Sequence, residues 1–136
     1  MPDLNFILLY VEDVAASVAF YAKVFGRPAI ESSPTFAMMP AAPGIMLGLW
    51  RRDGVEPAAG APGGGEIAIL AESEAEVAVT IARWQAFGAR VAQPPMQMDF
   101  GFTAVALDPD GHRLRVFVPV ERQIRERQSE LESSIL

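Results

Sequence analysis

Residues 9–26 read LYVEDVAASVAFYAKVFG, and this stretch combines the end of a strand, a helix cap and one amphipathic helix. Asp13 stands where its carboxylate can accept a hydrogen bond from a free backbone N–H of the first helical turn. Gly26 follows the last helical residue, where glycine favours termination. We therefore predict a strand over 5–11 and a helix over 14–25. Its apolar face recurs at helical spacing, at Val14, Val18, Tyr21 and Phe25.

Short strand-like segments follow this helix, and the whole pattern then starts again. Prolines and glycines separate the first three segments, which lie at 29–31, 35–39 and 45–50. In the second half, Ser73 and Glu76 form a capping box for a helix over 74–87. The strands predicted around that helix lie at 66–71, 90–92, 102–107 and 113–118.

The two halves share one order of elements, which predicts a repeated supersecondary unit. Phe25-Gly26 lies 62 positions before Phe87-Gly88, at the end of each helix. Such a repeat favours two βαβββ modules packed with pseudo-symmetry. We predict one α+β domain over residues 1–119, with modules of about 1–58 and 65–119. The linker is the loop of about 51–65, which is rich in Ala, Pro and Gly. Residues 120–136 form a predicted helical tail, with a solvated tail as the alternative.

Composition excludes several classes of site and partner. The chain has 136 residues, no cysteine and one histidine, so thiolate sites and sites with two imidazoles are excluded. A formal net charge of −6 opposes binding to nucleic acid. The apolar runs are too short for a membrane span, and the N-terminus has no leader pattern. We therefore predict a cytoplasmic protein with no membrane and no nucleic-acid partner.

The opening stretch and the closing strands together resemble one known family. The first half contains, in order, a strand, Val-x-Asp, Ser-x-x-Phe-Tyr and a closing Phe-Gly. The second half contains DPDGH at 108–112, followed by an apolar strand. These motifs resemble the glyoxalase / bleomycin-resistance / extradiol-dioxygenase superfamily, also called vicinal oxygen chelate proteins. The resemblance implies curled mixed sheets that form a cleft, with two chains paired as a homodimer. His112, the single imidazole, is interpreted as a turn residue.

Enzymes of that superfamily hold a divalent metal in the cleft, and the resemblance places the ligand positions in this chain. They fall at Phe6, at or next to Trp50, at Glu66 and at Arg115. An aromatic ring is a poor ligand, and a guanidinium repels a cation. One carboxylate does not hold a catalytic metal, so we predict no metal, no cofactor and no catalytic residue. A register slip of one residue brings Asn5 or Glu31 into consideration without completing the set.

The same positions favour a surface that binds a small molecule. Aromatic rings stack on flat compounds, and Arg115 can pair with a carboxylate or stack on a ring. Gly48 is predicted to leave room for a ring beside Trp50. Among relatives, the strand ending in Gly48-Leu49-Trp50 most resembles resistance proteins that sequester phenazine-type antibiotics. The predicted ligand-binding residues are Trp50, Phe6, Arg115, Glu66, Leu8, Gly48, Met98 and Phe102.

Three functions follow as hypotheses from these residues. The first is metal-independent binding and sequestration of a small planar aromatic compound, as in antibiotic resistance. The second is a metal-dependent lyase, isomerase or dioxygenase, for which Glu66 is the one candidate base. The third is a dimeric module whose aromatic residues lie in a subunit interface. A core position for Trp50, and a solvated position for Arg115 or Glu66, remain the simpler alternatives at each site.

Overall fold

A computed structural model of the chain describes residues 4–135 and divides them into two compact units. The first unit comprises residues up to 62 together with 109–111, and the second comprises 63–108 together with the residues from 112 onward. Residues 1–3 of the predicted domain and residue 136 of the predicted tail lie outside the described residues.

The first unit is a four-stranded sheet with one long helix. Strand β1 is parallel to β4, and the strand order is β1-β4-β3-β2 with antiparallel pairing elsewhere. Chain order gives β1 (Phe6–Val11), α1 (Val14–Phe25), β2 (Glu31–Ser32), β3 (Phe36–Ala42) and β4 (Ile45–Arg51), then a 3-10 turn at Arg52–Gly54.

Helix α1 begins and ends where its cap residues predict. Asp13 accepts a hydrogen bond from the backbone N–H of Ala16 at 3.1 Å. Gly26 has a φ of 69°, in the left-handed region that favours glycine, and its N–H bonds to the carbonyl of Ala22. Local chemistry therefore fixes both ends of α1 before any tertiary packing is considered.

Helix α1 packs on one face of the first sheet, and this face holds the core of the unit. Side chains alternate across a strand, so every second residue of β3 and β4 points toward the helix. The buried residues on this face and on α1 include Val11, Val14, Phe20, Tyr21, Ala37, Met39, Leu47 and Leu49. The intervening residues form the opposite face, which therefore carries the larger half-buried side chains of this sheet.

The second unit repeats the arrangement of the first. Its strand order is β5-β8-β7-β6, with β5 parallel to β8 and the other pairs antiparallel. Its elements are β5 (Glu66–Leu70), α2 (Glu74–Ala86), β6 (Arg90–Met98), β7 (Gly101–Leu107), β8 (Arg113–Pro119) and α3 (Val120–Ile135). The predicted α+β class and the two βαβββ modules are confirmed, and the pairing of two chains stays a prediction.

Strand β6 is longer than its sequence predicts. The pattern indicates a strand over 90–92, because Pro94 and Pro95 follow, yet β6 continues to Met98. Proline lacks the N–H that an interior strand needs, but β6 is an edge strand with one neighbour. The pairing with β7 shifts register between Gln93 and Met96, around these prolines.

Helix α3 is anchored to the second unit at its start. The side chain of Gln123 is buried, donates to Glu74 at 3.0 Å and exchanges hydrogen bonds with Gln97. Arg122 pairs with Glu72 at 2.7 Å. Within residues 4–135, no helix is long and apolar enough to cross a membrane.

Candidate functional site

The face of the first sheet that turns away from α1 carries a contiguous group of apolar and aromatic side chains. Strands β1, β3 and β4 contribute alternate residues to it, as their register shows. We call this surface the aromatic face, and it comprises Phe6, Leu8, Tyr10, Phe36, Met38, Gly48 and Trp50. None of its large side chains is fully buried, and Leu8 is 44% exposed. These side chains can therefore contact a ligand.

Trp50 lies on β4, the strand between β1 and β3, at one end of the aromatic face. Its neighbour in β1 is Tyr10 and its neighbour in β3 is Phe36. The rings of Tyr10 and Trp50 meet edge to face, with centroids 6.3 Å apart. Trp84, on α2, is the core tryptophan, with 2% of its surface exposed. Trp50 is half-buried and therefore differs from Trp84, which only fills the core.

Gly48 lies at the centre of the aromatic face, and the space above it is already filled. A Cβ atom added there would lie 2.5 Å from Phe6 Cε1, 2.6 Å from Leu8 Cδ2 and 3.2 Å from Phe36 Cζ. The room that we predicted beside Trp50 is therefore occupied by the chain's own side chains. Gly48 lets the Phe6 and Phe36 rings approach the sheet closely, so its effect on a ligand is indirect.

The second unit carries a polar group on the corresponding face of its sheet, around the guanidinium of Arg115. Nε and Nη2 of Arg115 donate to the two oxygens of Glu66, at 2.5 and 3.4 Å. Nη1 donates to Thr103 Oγ1 at 3.0 Å and to Gln93 Oε1 at 3.4 Å. The side chain of Arg115 is 13% exposed. We call this group the arginine cluster, and it comprises Glu66, Gln93, Thr103, Arg113 and Arg115.

Phe100 covers one side of the arginine cluster. Cζ of Arg115 lies 5.6 Å from the centroid of the Phe100 ring, within the range of a cation–π contact. The same ring meets Phe117 edge to face at 6.1 Å. Met98 is paired with Gly101 in the β6–β7 hairpin, and its sulfur accepts a hydrogen bond from the Gln93 amide at 3.5 Å. Met98 therefore contacts Gln93, which is itself a hydrogen-bond partner of Arg115.

Phe102 lies elsewhere. It is in register with Val118, whereas Thr103 is in register with Phe117, so Phe102 and Thr103 occupy opposite faces of the sheet. Val118 is fully buried, and helix α2 packs on β7 and β8. The structure therefore places Phe102 on the helix-covered face and not beside Arg115.

The carboxylate of Glu66 is held in its charged form. Hydrogen bonding from Arg115 lowers the pKa of Glu66 below its ordinary value of 4.5, against the opposing effect of partial burial. The charges of Arg115 and Arg113 act in the same direction, with Arg113 Nε at 3.1 Å from the carboxylate. Two guanidinium groups and one carboxylate leave the arginine cluster with one net positive charge.

A pH titration of stability should reveal this interaction. Because the folded pKa of Glu66 is lowered, its contribution is present above the unfolded pKa of 4.5 and is lost as the pH falls through the folded pKa. We expect wild type to exceed Glu66→Gln in free energy of unfolding by about 1 kcal/mol at pH 7, and the difference to shrink below pH 4. Urea unfolding measures both proteins. Glu130→Gln, on an exposed part of α3, is the control. A difference that stays constant with pH would contradict the assignment.

Sequence reasoning missed several residues of these surfaces. Phe36 and Met38 belong to a strand that was recognised, but their place beside Trp50 and Gly48 follows only from the β3–β4 register. Thr103 and Gln93 were also missed as partners of Arg115. Alternation along β7 and β8 predicts Thr103 as a neighbour of Arg115 only when the register between these two strands is known.

Comparison with known proteins agrees with the repeated βαβββ arrangement. Residues 3–116 match the family model described as the Glyoxalase/Bleomycin resistance protein/Dioxygenase superfamily. The chain belongs to this superfamily. It is 30% identical, over 115 residues, to the phenazine antibiotic resistance protein EhpR of Enterobacter agglomerans. The aligned residues cover 82% of this chain and 88% of that protein.

Solved structures share the fold of this chain. A protein from Agrobacterium tumefaciens, determined in solution by NMR, has a TM-score of 0.81 and 45% identity, covering 88% of this chain and 99% of that one. A glyoxalase-related enzyme from Fulvimarina pelagi has a TM-score of 0.78 and 25% identity, covering 87% and 88% of the two chains.

The residues of this superfamily member do not fit the metal of its enzymatic relatives. Of the four implied positions, only Glu66 has a carboxylate, and that carboxylate already accepts from Arg115 and pairs with Arg113. Over residues 4–135, no three His, Cys, Asp or Glu side chains are grouped so that they could hold a metal ion. A cation at Glu66 would also meet the positive charge of two arginines. The residues at the four implied positions therefore do not form a site for a catalytic metal.

Proposed function

We propose that this protein binds a small planar aromatic compound and sequesters it without changing it chemically, as an antibiotic-resistance protein does. The observation that carries the proposal is the aromatic face of the first unit. Phe6 and Trp50 occupy positions where the superfamily resemblance implies metal ligands, and both lie on that face. The second unit, taken by itself, offers Arg115 as a further candidate contact, with Glu66 holding the guanidinium in place.

The physical basis is the burial of flat apolar surface. Ligand pockets are lined mainly by apolar and aromatic side chains with a few placed polar groups. A ring laid against Trp50 would remove apolar area from water, at about 25 cal/mol per Å², and would add a stacking preference. Leu8 and Met38 extend the same surface with flexible side chains that adapt to the outline of a ligand. The 30% identity to a phenazine antibiotic resistance protein supports the same ligand class.

The chemistry of Glu66 argues against the enzymatic alternative. A general base works best when its pKa lies near the working pH. Hydrogen bonding to Arg115 moves the pKa of Glu66 in the opposite direction, so its carboxylate is a poor proton acceptor. This residue was the one candidate base of the lyase, isomerase and dioxygenase hypotheses. Binding without turnover therefore suits the residues better.

A titration with a matched pair of compounds tests the proposal. We expect phenazine to bind saturably, and its fully reduced, non-planar perhydro analogue to bind at least tenfold more weakly, because only the flat ring system stacks on Trp50. Calorimetry measures both affinities, and size-exclusion chromatography with light scattering records the mass of the protein on the same sample. Failure of phenazine and of related planar compounds to bind would overturn the proposal. If the aromatic face is then covered in a stable dimer, the interface hypothesis takes its place.

A further inference from the structure

The guanidinium of Arg115 has an edge that donates hydrogen bonds and two flat faces that do not. Its five N–H donors all lie in the plane of the group. Four of them point at Glu66, Thr103 and Gln93. Thr103 in turn donates to the carbonyl of Val116 at 3.0 Å, which fixes its hydroxyl. Four of the five donors on the edge of Arg115 are therefore used within the second unit, so a carboxylate arriving from outside could form two parallel hydrogen bonds only by displacing Glu66.

Cζ of Arg115 lies over a ring on a tight turn, 5.6 Å from the ring centroid. Phe100 belongs to the two-residue turn that joins β6 and β7, and its side chain is on the surface, with 45% of the residue exposed. The backbone of the turn is held, since the N–H of Val120 donates to the carbonyl of Phe100 at 3.0 Å. Rotation about the side-chain bonds of Phe100 can therefore uncover Arg115 while the backbone stays in place.

We infer that the second unit binds a planar aromatic compound over Arg115, at the position that the Phe100 ring occupies when no ligand is bound. The inference rests on the proposed function. It specifies the ligand class as a planar aromatic compound, because the planar guanidinium of an arginine stacks on the flat face of a ring. A carboxylate on the ligand is dispensable for Arg115, because Glu66 already fills that role.

Substitution of Arg115 by lysine separates recognition through the face from recognition through the edge. Lysine keeps the positive charge and can pair with Glu66, but it has no planar group. With phenazine and phenazine-1-carboxylate as probes, we expect Arg115→Lys to weaken both by the same factor, about fivefold. Calorimetry measures the affinities, and thermal unfolding confirms that the variant is folded. A loss confined to the carboxylate, or no loss for either compound, would overturn the inference.

Removal of the Phe100 ring tests the second half of the inference. A ligand that replaces Phe100 must break its contact with Arg115, so Phe100→Ala should bind both probes more tightly, by about two- to fivefold. Val79→Ala removes another exposed apolar side chain of the second unit, on α2, and should leave both affinities unchanged. Weaker binding by Phe100→Ala, or unchanged binding, would show that Phe100 is not in the place of the ligand.

The two failures are distinguishable in these experiments. If wild type binds no planar aromatic compound, the proposed function and the inference both fall. If wild type binds phenazine but the Arg115 and Phe100 variants depart from the expected pattern, only the inference falls.

Discussion

Replacing Trp50 by alanine is expected to weaken the binding of phenazine about 25-fold. Trp50 lies between Tyr10 and Phe36 on the aromatic face and is the largest side chain there. Truncation of a tryptophan in the centre of a binding surface typically costs about 2 kcal/mol or more, which corresponds to that loss of affinity. Calorimetry is the suitable measurement, since the variant loses one of the chain's two tryptophans.

A conservative variant separates stacking from simple loss of volume. Trp50→Phe keeps a flat ring at the same position and should retain most of the affinity, with a loss of about threefold, as expected for a smaller stacking surface. Stability should change little in either variant, because Trp50 is half-buried and lies outside the core against α1. Equal affinities for wild type and Trp50→Ala would move the binding surface away from the aromatic face.

Gly101→Ala is expected to destabilise the protein by about 3 kcal/mol or more. Gly101 begins β7 with a φ of 156°, and an added Cβ would lie 2.0 Å from the carbonyl oxygen of Val118. The Cα of Pro119 would lie at 2.8 Å. Both are backbone atoms of the neighbouring strand β8, so no side-chain rotation relieves the clash. Urea unfolding gives the difference, and failure to fold in the cell is the extreme form of the same result.

Gly60→Ala is the matched control for this glycine. Gly60 lies in the loop before β5, has no atom within 4 Å of an added Cβ and does not have a positive φ. Its substitution should change the free energy of unfolding by less than about 0.5 kcal/mol. Equal stabilities for Gly101→Ala and Gly60→Ala would contradict the close approach of β7 to β8 that fixes the turn carrying Phe100.

The fold was predictable from the sequence where local chemistry determines it. The caps at Asp13 and Gly26 act on backbone groups a few residues away, so the bounds of α1 follow from the local sequence alone. The extent of β6 did not follow, because proline is tolerated or excluded according to the place of a strand in its sheet. That place is a tertiary property, which Pro94 and Pro95 do not encode locally.

The candidate site was predictable only in part, for a related reason. Alternation along single strands correctly groups Phe6 with Leu8, and Gly48 with Trp50. It does not give the register between strands, so Phe36 was missed.

A second property that single residues do not predict is which side chains fill the space on a surface. Gly48 was interpreted as room for a ligand, but whether a gap beside a glycine is open depends on the rotamers of its neighbours. In this structure the Phe6 and Leu8 side chains fill it. The sequence likewise predicts that Arg115 pairs with a carboxylate or stacks on a ring, but it does not show that Glu66, 49 positions away, is the carboxylate that Arg115 contacts.

The most direct test of sequestration is recovery of the compound after binding. Wild-type protein is mixed with phenazine, incubated with and without added Mn²⁺, Ni²⁺ or Fe²⁺, denatured, and the released compound is quantified by mass spectrometry. The account predicts saturable binding and complete recovery of phenazine at its original mass under every condition. A product of altered mass that accumulates beyond one equivalent of the protein would contradict it, since a binding protein cannot turn over.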